Sequence, residues 1–168
     1  KEGQLAHQEA VPREAARILF ASTNGDLWIG SRFHGVEHRV RGGNPRTRYT
    51  PANGLSDVAI TAIAEDREGA IWVGTKHGLN RIRQGRITRF YREQGLGTDS
   101  IHTLYVDHEG LLWVGTVGGG LALAQAERFS TVSTRQGLDN DVIAQILEDG
   151  HGWMWLGSNN GLMRINRD

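Results

Sequence analysis

The sequence predicts an all-β chain folded as a β-propeller, with four blades of four antiparallel strands at about 42 residues per blade, an arc that makes half of a larger ring. Three observations carry this reading. The tetrapeptide WVGT stands at 72–75 and again at 113–116, with near copies WIGS at 28–31 and WLGS at 155–158. Its tryptophans, Trp28, Trp72, Trp113 and Trp155, lie 44, 41 and 42 residues apart, and a fixed period of this size marks a repeated structural unit. Other residues keep the same register: Gly25, Gly69, Gly110 and Gly152 before the Trp, Gly30, Gly74, Gly115 and Gly157 after it, and the pairs Gly54-Leu55, Gly95-Leu96 and Gly137-Leu138 further upstream.

Each period reads as four short strands. Six residues before the Trp stand Asp66, Asp107 and Asp149, with Ser22 in the first copy; Asp or Ser at the first position of a type I turn and Gly at the fourth, three residues on, suit that turn, so these are turn formers rather than active-site acids. The Trp strand follows with a period of two, its Trp filling the space between sheets and its Gly letting a neighbouring backbone approach. A second turn (KHG at 76–78, NNG at 159–161) leads to a third strand such as GLNRI or GLMRI, and RITRFY at 86–91 supplies a fourth. Only PREAARILF at 12–20 has helical propensity; aligned on Trp28 it takes the place of SDVAITAIA at 56–64, so its second half is read as strand. The blades run 10–50, 51–92, 93–133 and 134–168, the last without an outer strand, and 1–9 form a closing strand or a tail.

Composition narrows the function. The 19 basic and 19 acidic residues balance, leaving no field to hold nucleic acid. The absence of Cys removes thiol catalysis, disulfides and Cys-based zinc sites, and suits a periplasmic location. No apolar run reaches membrane-spanning length, so no direct membrane contact is expected of this segment. A start without Met and an end inside a blade point to a piece of a longer chain.

The strings NGLSDVAITAIAEDREGAIWVGTKHGLNRI (53–82), QGLGTDSIHTLYVDHEGLLWVGTVGGGLAL (94–123) and QGLDNDVIAQILEDGHGWMWLGSNNGLMRI (136–165) resemble the two-component regulator propeller repeat. The likeness is looser over 18–36, and Ala10-Val11 replace the Gly-Leu pair in blade 1. The resemblance implies the extracytoplasmic sensor of a bacterial membrane receptor whose cytoplasmic part is a histidine kinase or a diguanylate cyclase. Sensors of that family usually have seven blades, more than this chain can build.

Catalytic patterns fail their geometric requirements. HEGLLW (108–113) begins like a zinc-protease motif, but Leu112 stands where the second His belongs and the segment is a turn. GTVGGG (115–120) precedes a strand rather than the helix a phosphate loop must open. There is no G-x-S-x-G elbow. The turn is also similar to the Asp box of sialidase propellers, yet its Gly comes three residues after Asp instead of two. The expectation is therefore a non-catalytic sensing or interaction module without cofactor or metal. A carbohydrate-processing propeller and a purely structural assembly scaffold are the alternatives.

Scaffold positions repeat in every blade, whereas a site is free to differ. The loop after the Trp strand differs most, and in a propeller it shares a face with the connection entering the next blade. That face gathers Arg32, Phe33, His34, Lys76, His77, Asn159 and Asn160 with Asp57, Asp99, Asn140 and Asp141, suited to a small polar molecule or a glycan. Solvated loop residues are the plain alternative. His34 and His77, a blade apart, are read as solvated rather than as metal ligands, and Arg32, Arg39, Arg41, Arg46 and Arg48 as a solvated outer edge of blade 1. Four blades alone make a tight ring, so the chain is expected to form a homodimer of about eight blades through Lys1 to Gln8 and Gly161 to Ile165.

Overall fold

The computed structural model of the chain describes residues 16–42 and 44–166. Their strands form four antiparallel sheets, each a meander in chain order. The first holds β1 (Ala16–Ala21), β2 (Leu27–Ser31), β3 (Val36–Arg39) and β4 (Arg46–Tyr49). The second holds β5 (Ile60–Glu65), β6 (Ile71–Thr75), β7 (Gly78–Arg83) and β8 (Arg86–Phe90). The third holds β9 (Ile101–Val106), β10 (Leu112–Thr116), β11 (Leu121–Gln125) and β12 (Arg128–Val132). The fourth holds β13 (Ile143–Glu148), β14 (Met154–Ser158) and β15 (Gly161–Ile165). β1, β5, β9 and β13 lie side by side, as the inner strands of successive propeller blades do. The proposed closing strand at 1–9 lies outside the described residues.

One carboxylate organises the Trp hairpin in each of the second, third and fourth sheets. Asp66 Oδ1 accepts the backbone N–H groups of Glu68 and Ala70 at 3.0 and 2.9 Å, and its Oδ2 accepts the Trp72 indole N–H at 2.7 Å. Asp107 does the same for Glu109, Leu111 and Trp113, and Asp149 for His151, Trp153 and Trp155. The acid therefore both forms the turn and fixes the ring. Between sheets, single-turn 3-10 helices at Pro51–Asn53, Arg92–Gln94 and Thr134–Gln136 end on Gly54, Gly95 and Gly137 at φ of 109°, 101° and 106°. Only glycine takes this left-handed conformation without strain, and the turn it makes sends Leu55, Leu96 and Leu138 into the core.

The core lies between sheets, in three clusters. Trp28 packs with Val36, Leu55, Ile60 and Val73 between the first and second sheets. Trp72 packs with Leu79, Phe90, Ile101 and Phe129 between the second and third, and Trp113 with Leu121, Ile143 and Leu156 between the third and fourth. The glycine two residues after the Trp admits a side chain of the next sheet at Gly30 and Gly74, and at Gly115 also the neighbouring backbone that the sequence pattern suggests. A Cβ on Gly30 would stand 2.6 Å from Ile60 Cγ2, and one on Gly74 2.6 Å from Ile101 Cγ2. On Gly115 it would meet Ile143 Cγ2 at 2.9 Å, together with Thr103 Cγ2 and the Ile143 carbonyl.

The fourth sheet departs from the expectation that all four tryptophans are buried. Trp155 is only half-buried, because among the described residues no sheet follows its own. Leu162, the counterpart of fully buried Leu79 and Leu121, is 67% exposed for the same reason. A Cβ on Gly157 would meet nothing nearer than Gln145 at 3.5 Å.

Two stability outcomes follow from this packing. Trp113→Ala is expected to cost about 3–5 kcal/mol through the cavity it leaves, and Trp155→Ala clearly less. Gly74→Ala is expected to cost about 1–3 kcal/mol by forcing Ile101 aside. Urea unfolding of the three variants against the parent chain measures both.

Candidate functional site

A four-strand meander places its second-to-third turn at one end and its two other turns at the opposite end. At the first end the loop of one sheet bonds to the entry connection of the next: Gly35 N–H donates to the Val58 carbonyl at 3.1 Å, and Gly118 and Gly120 N–H to the Asp141 carbonyl at 3.0 and 2.8 Å. This end carries all eleven residues singled out in the sequence, in two roles.

Asp57, Asp99, Asn140 and Asp141 are half-buried and hold backbone. Asp57 Oδ1 accepts Ala59 N–H at 3.0 Å and Asn140 Oδ1 accepts Val142 N–H at 2.8 Å, one repeated side-chain turn. Asp99 accepts Arg92 N–H at 2.8 Å and Asp141 accepts Thr134 N–H at 2.6 Å, capping the 3-10 turns. Pro51 stands where Arg92 and Thr134 stand, and having no N–H it needs no cap. Val58 duly replaces the Asp. These four side chains thus hold the scaffold.

Arg32, Phe33, His34, Lys76, His77, Asn159 and Asn160 are exposed. The Arg32 guanidinium lies 5.3 Å from the Phe33 ring centre, and His34 N–H donates to Ser31 Oγ at 2.7 Å. His77 Nδ1 pairs with Asp57 Oδ2, and Asn160 Nδ2 donates to the Asp139 carbonyl at 2.9 Å. Burial raises the Asp57 carboxyl, but His77 and the Ala59 and Val58 amides outweigh it and hold it below the ordinary range. The arginine-rich edge is not wholly solvated. Arg39 is buried, and Glu37 clamps both Arg39 Nε at 2.5 Å and Arg48 Nη2 at 3.0 Å.

The opposite end carries a feature the sequence reading did not isolate. Between the first and second sheets lies a cavity of ≈ 170 Å³, with Trp28, His38 and Tyr49 on one side and Glu65 and Gln84 on the other. His38 stacks on Trp28 with ring centres 4.1 Å apart at 8°, and its Nε2 meets Asp26 Oδ2 at 2.8 Å. The Arg41 amide, then His38 and Asn24, outweigh burial and hold the Asp26 carboxyl below its ordinary range. Burial alone pushes the Tyr49 phenol up. Glu65 crosses the gap, accepting Thr23 N–H at 2.7 Å and Thr23 Oγ1–H at 3.0 Å. Glu148 takes His108 N–H at 2.8 Å in the same way between the third and fourth sheets.

Sheet architecture defines the class: a β-propeller arc of Trp-hairpin blades. Residues 54–77, 95–118 and 137–160 each match the two component regulator propeller model, so the chain carries three repeats of that family. The structure is similar to the extracellular domain of BT3049 from B. thetaiotaomicron, assigned as a hybrid two component system, at 26% identity and TM-score 0.78 over 89% of this chain and 21% of that one. It is similar to the extracellular domain of BT4673 from the same organism, assigned as a one component system, at 23% identity and TM-score 0.74 over 89% of this chain and 23% of that one. The chain thus spans between a fifth and a quarter of the length of these proteins. Virginiamycin B lyase from Staphylococcus aureus shares the fold at 16% identity and TM-score 0.67, over 93% of this chain and 57% of that one. No curated protein sequence matches the chain.

The depressed Asp26 carboxyl has a pH consequence. Its stabilisation is full above the ordinary aspartate pKa of about 4 and is lost as pH falls through the lower folded value. Asp26→Asn is therefore expected to lower the melting temperature at neutral pH and to flatten the decline below about pH 4. Thermal melts at stepped pH check it; Glu37, Asp57 and Asp149, depressed likewise, supply the decline that remains.

Proposed function

We propose that the chain is an extracytoplasmic sensing or interaction module of a bacterial signalling receptor, taking a small polar molecule or a glycan and catalysing nothing itself. The observation that carries this is the run of two component regulator propeller repeats, in a fold shared with extracellular domains of two component systems. Among the described residues no helix is long and apolar enough to cross a membrane, and no group of three His, Cys, Asp or Glu residues could hold a metal ion. Placement on the periplasmic or outer side of the membrane agrees with those neighbours. One pair favours a second reading: exposed His77 with half-buried Asp57 could move a proton in a carbohydrate-processing site. Incubating the chain with a glycan panel decides between them. No product is expected, whereas turnover abolished by Asp57→Asn would establish the enzyme.

We further propose that the arc is completed by further blades, supplied by a second copy when the chain is isolated. Support comes from the end faces: Leu162 and Leu147 are 67% and 60% exposed on one, and Leu19 is 68% exposed on the other. Leu19 stands where Ile63 and Ile146 meet the preceding sheet, so among the described residues each face lacks the partner that its counterparts have. Light scattering after size exclusion is expected to give a dimer mass, lost in Leu162→Asp. A monomeric mass at high concentration would contradict it.

A further inference from the structure

The first sheet differs from the others at one point of chemistry. Asp66, Asp107 and Asp149 take the indole N–H of their own tryptophans. Ser22 holds that position in the first sheet, and its hydroxyl is turned to Asn24 Oδ1 at 2.7 Å and the Asp26 carbonyl at 3.0 Å. Trp28 is 5% exposed, and among the described residues nothing accepts its indole N–H. Tyr49 is 7% exposed, and its hydroxyl likewise has no hydrogen-bond partner among them. Both residues line the cavity between the first two sheets. Neither donor atom is sealed from solvent, so both open onto the cavity, where an acceptor from outside can reach them.

We propose that this cavity binds a small neutral polyhydroxylated molecule, a monosaccharide or cyclic polyol, held by the Trp28 N–H and Tyr49 O–H on one sheet and by Glu65 and Gln84 on the next. An anion would suit the two donors, but the Asp26 and Glu65 carboxylates beside the cavity oppose it. A cation would meet the two donors, and both carboxylates already accept N–H or O–H bonds from Thr23, Asn24, His38 and Arg41. A hydroxyl group satisfies both sides, because it accepts from Trp28 and Tyr49 and donates to Glu65 and to the Gln84 carbonyl. At ≈ 170 Å³ the cavity is smaller than the roughly 300 Å³ at which sites for drug-sized ligands begin, which sets the ligand near one sugar ring. Because the ligand touches two blades, binding stiffens their interface. The inference rests on the sensing role proposed above and gives that role a site.

Heteronuclear NMR of the intact chain tests it, with D-glucose, myo-inositol and glycerol as separate probes. The expected result is a saturable shift of the Trp28 indole N–H with at least one probe, while the Trp72, Trp113 and Trp155 indoles stay in place. Tyr49→Phe is expected to weaken binding about fivefold, the worth of one neutral hydrogen bond. Ser22→Asp, which supplies the carboxylate the other sheets carry, is expected to keep the fold and abolish the shift. Saturable shifts confined to Lys76, His77, Asn159 and Asn160 would overturn the cleft and leave the sensing role standing. A Trp28 indole unmoved by all three probes, or Ser22→Asp binding as tightly as the parent chain, also overturns it.

Discussion

A single carboxylate in each of three repeats links the levels of this structure. Because one oxygen of Asp66 holds two turn amides and the other holds the Trp72 indole, the hairpin cannot form without aiming the ring, and the ring so aimed fills the gap to the next sheet. The glycine two residues on then matters as much as the Trp. With the ring and strand fixed, the next inner strand can approach only where Ile101 finds no Cβ in its way. Turn chemistry, strand pattern and blade packing are thus one constraint repeated down the chain, which is why so short a motif recurs with so little change.

The blade period, the strands and the turn positions were legible because backbone geometry demands particular residue types at fixed intervals. What stayed hidden required knowing which groups meet. Asp99 and Asp141 read as candidate ligands in an exposed loop, and only the hydrogen bonds to Arg92 and Thr134 reveal them as caps. A trace was present nonetheless: Val58 breaks the series of acids where Pro51 removes the amide to be capped. The burial of Trp155 was overestimated because a repeat says nothing of whether a neighbour follows it. Ser22 was visible as an exception yet passed as an equivalent turn former, since Ser and Asp serve a type I turn alike. Their difference shows only at the indole N–H, several residues away.

Two ends of the arc therefore carry different information. The loop end varies most in sequence, but much of its polarity is spent on the backbone, leaving Arg32, Phe33, His34, Lys76, His77, Asn159 and Asn160 exposed. The turn after each inner strand is nearly invariant, and where Ser22 departs from it the cavity beside Trp28 is lined by donors that the scaffold does not use. In a repeat protein the informative position is where a repeated bond is missing rather than where loops differ.

That claim is open to direct measurement through hydrogen exchange at the indole N–H groups of the intact, ligand-free chain. Trp72, Trp113 and Trp155 should exchange slowly, each held by an aspartate carboxylate, while Trp28 exchanges far faster despite being as buried as Trp72. Equal protection of Trp28 and Trp72 would show that the first blade is closed like the others and would contradict the account.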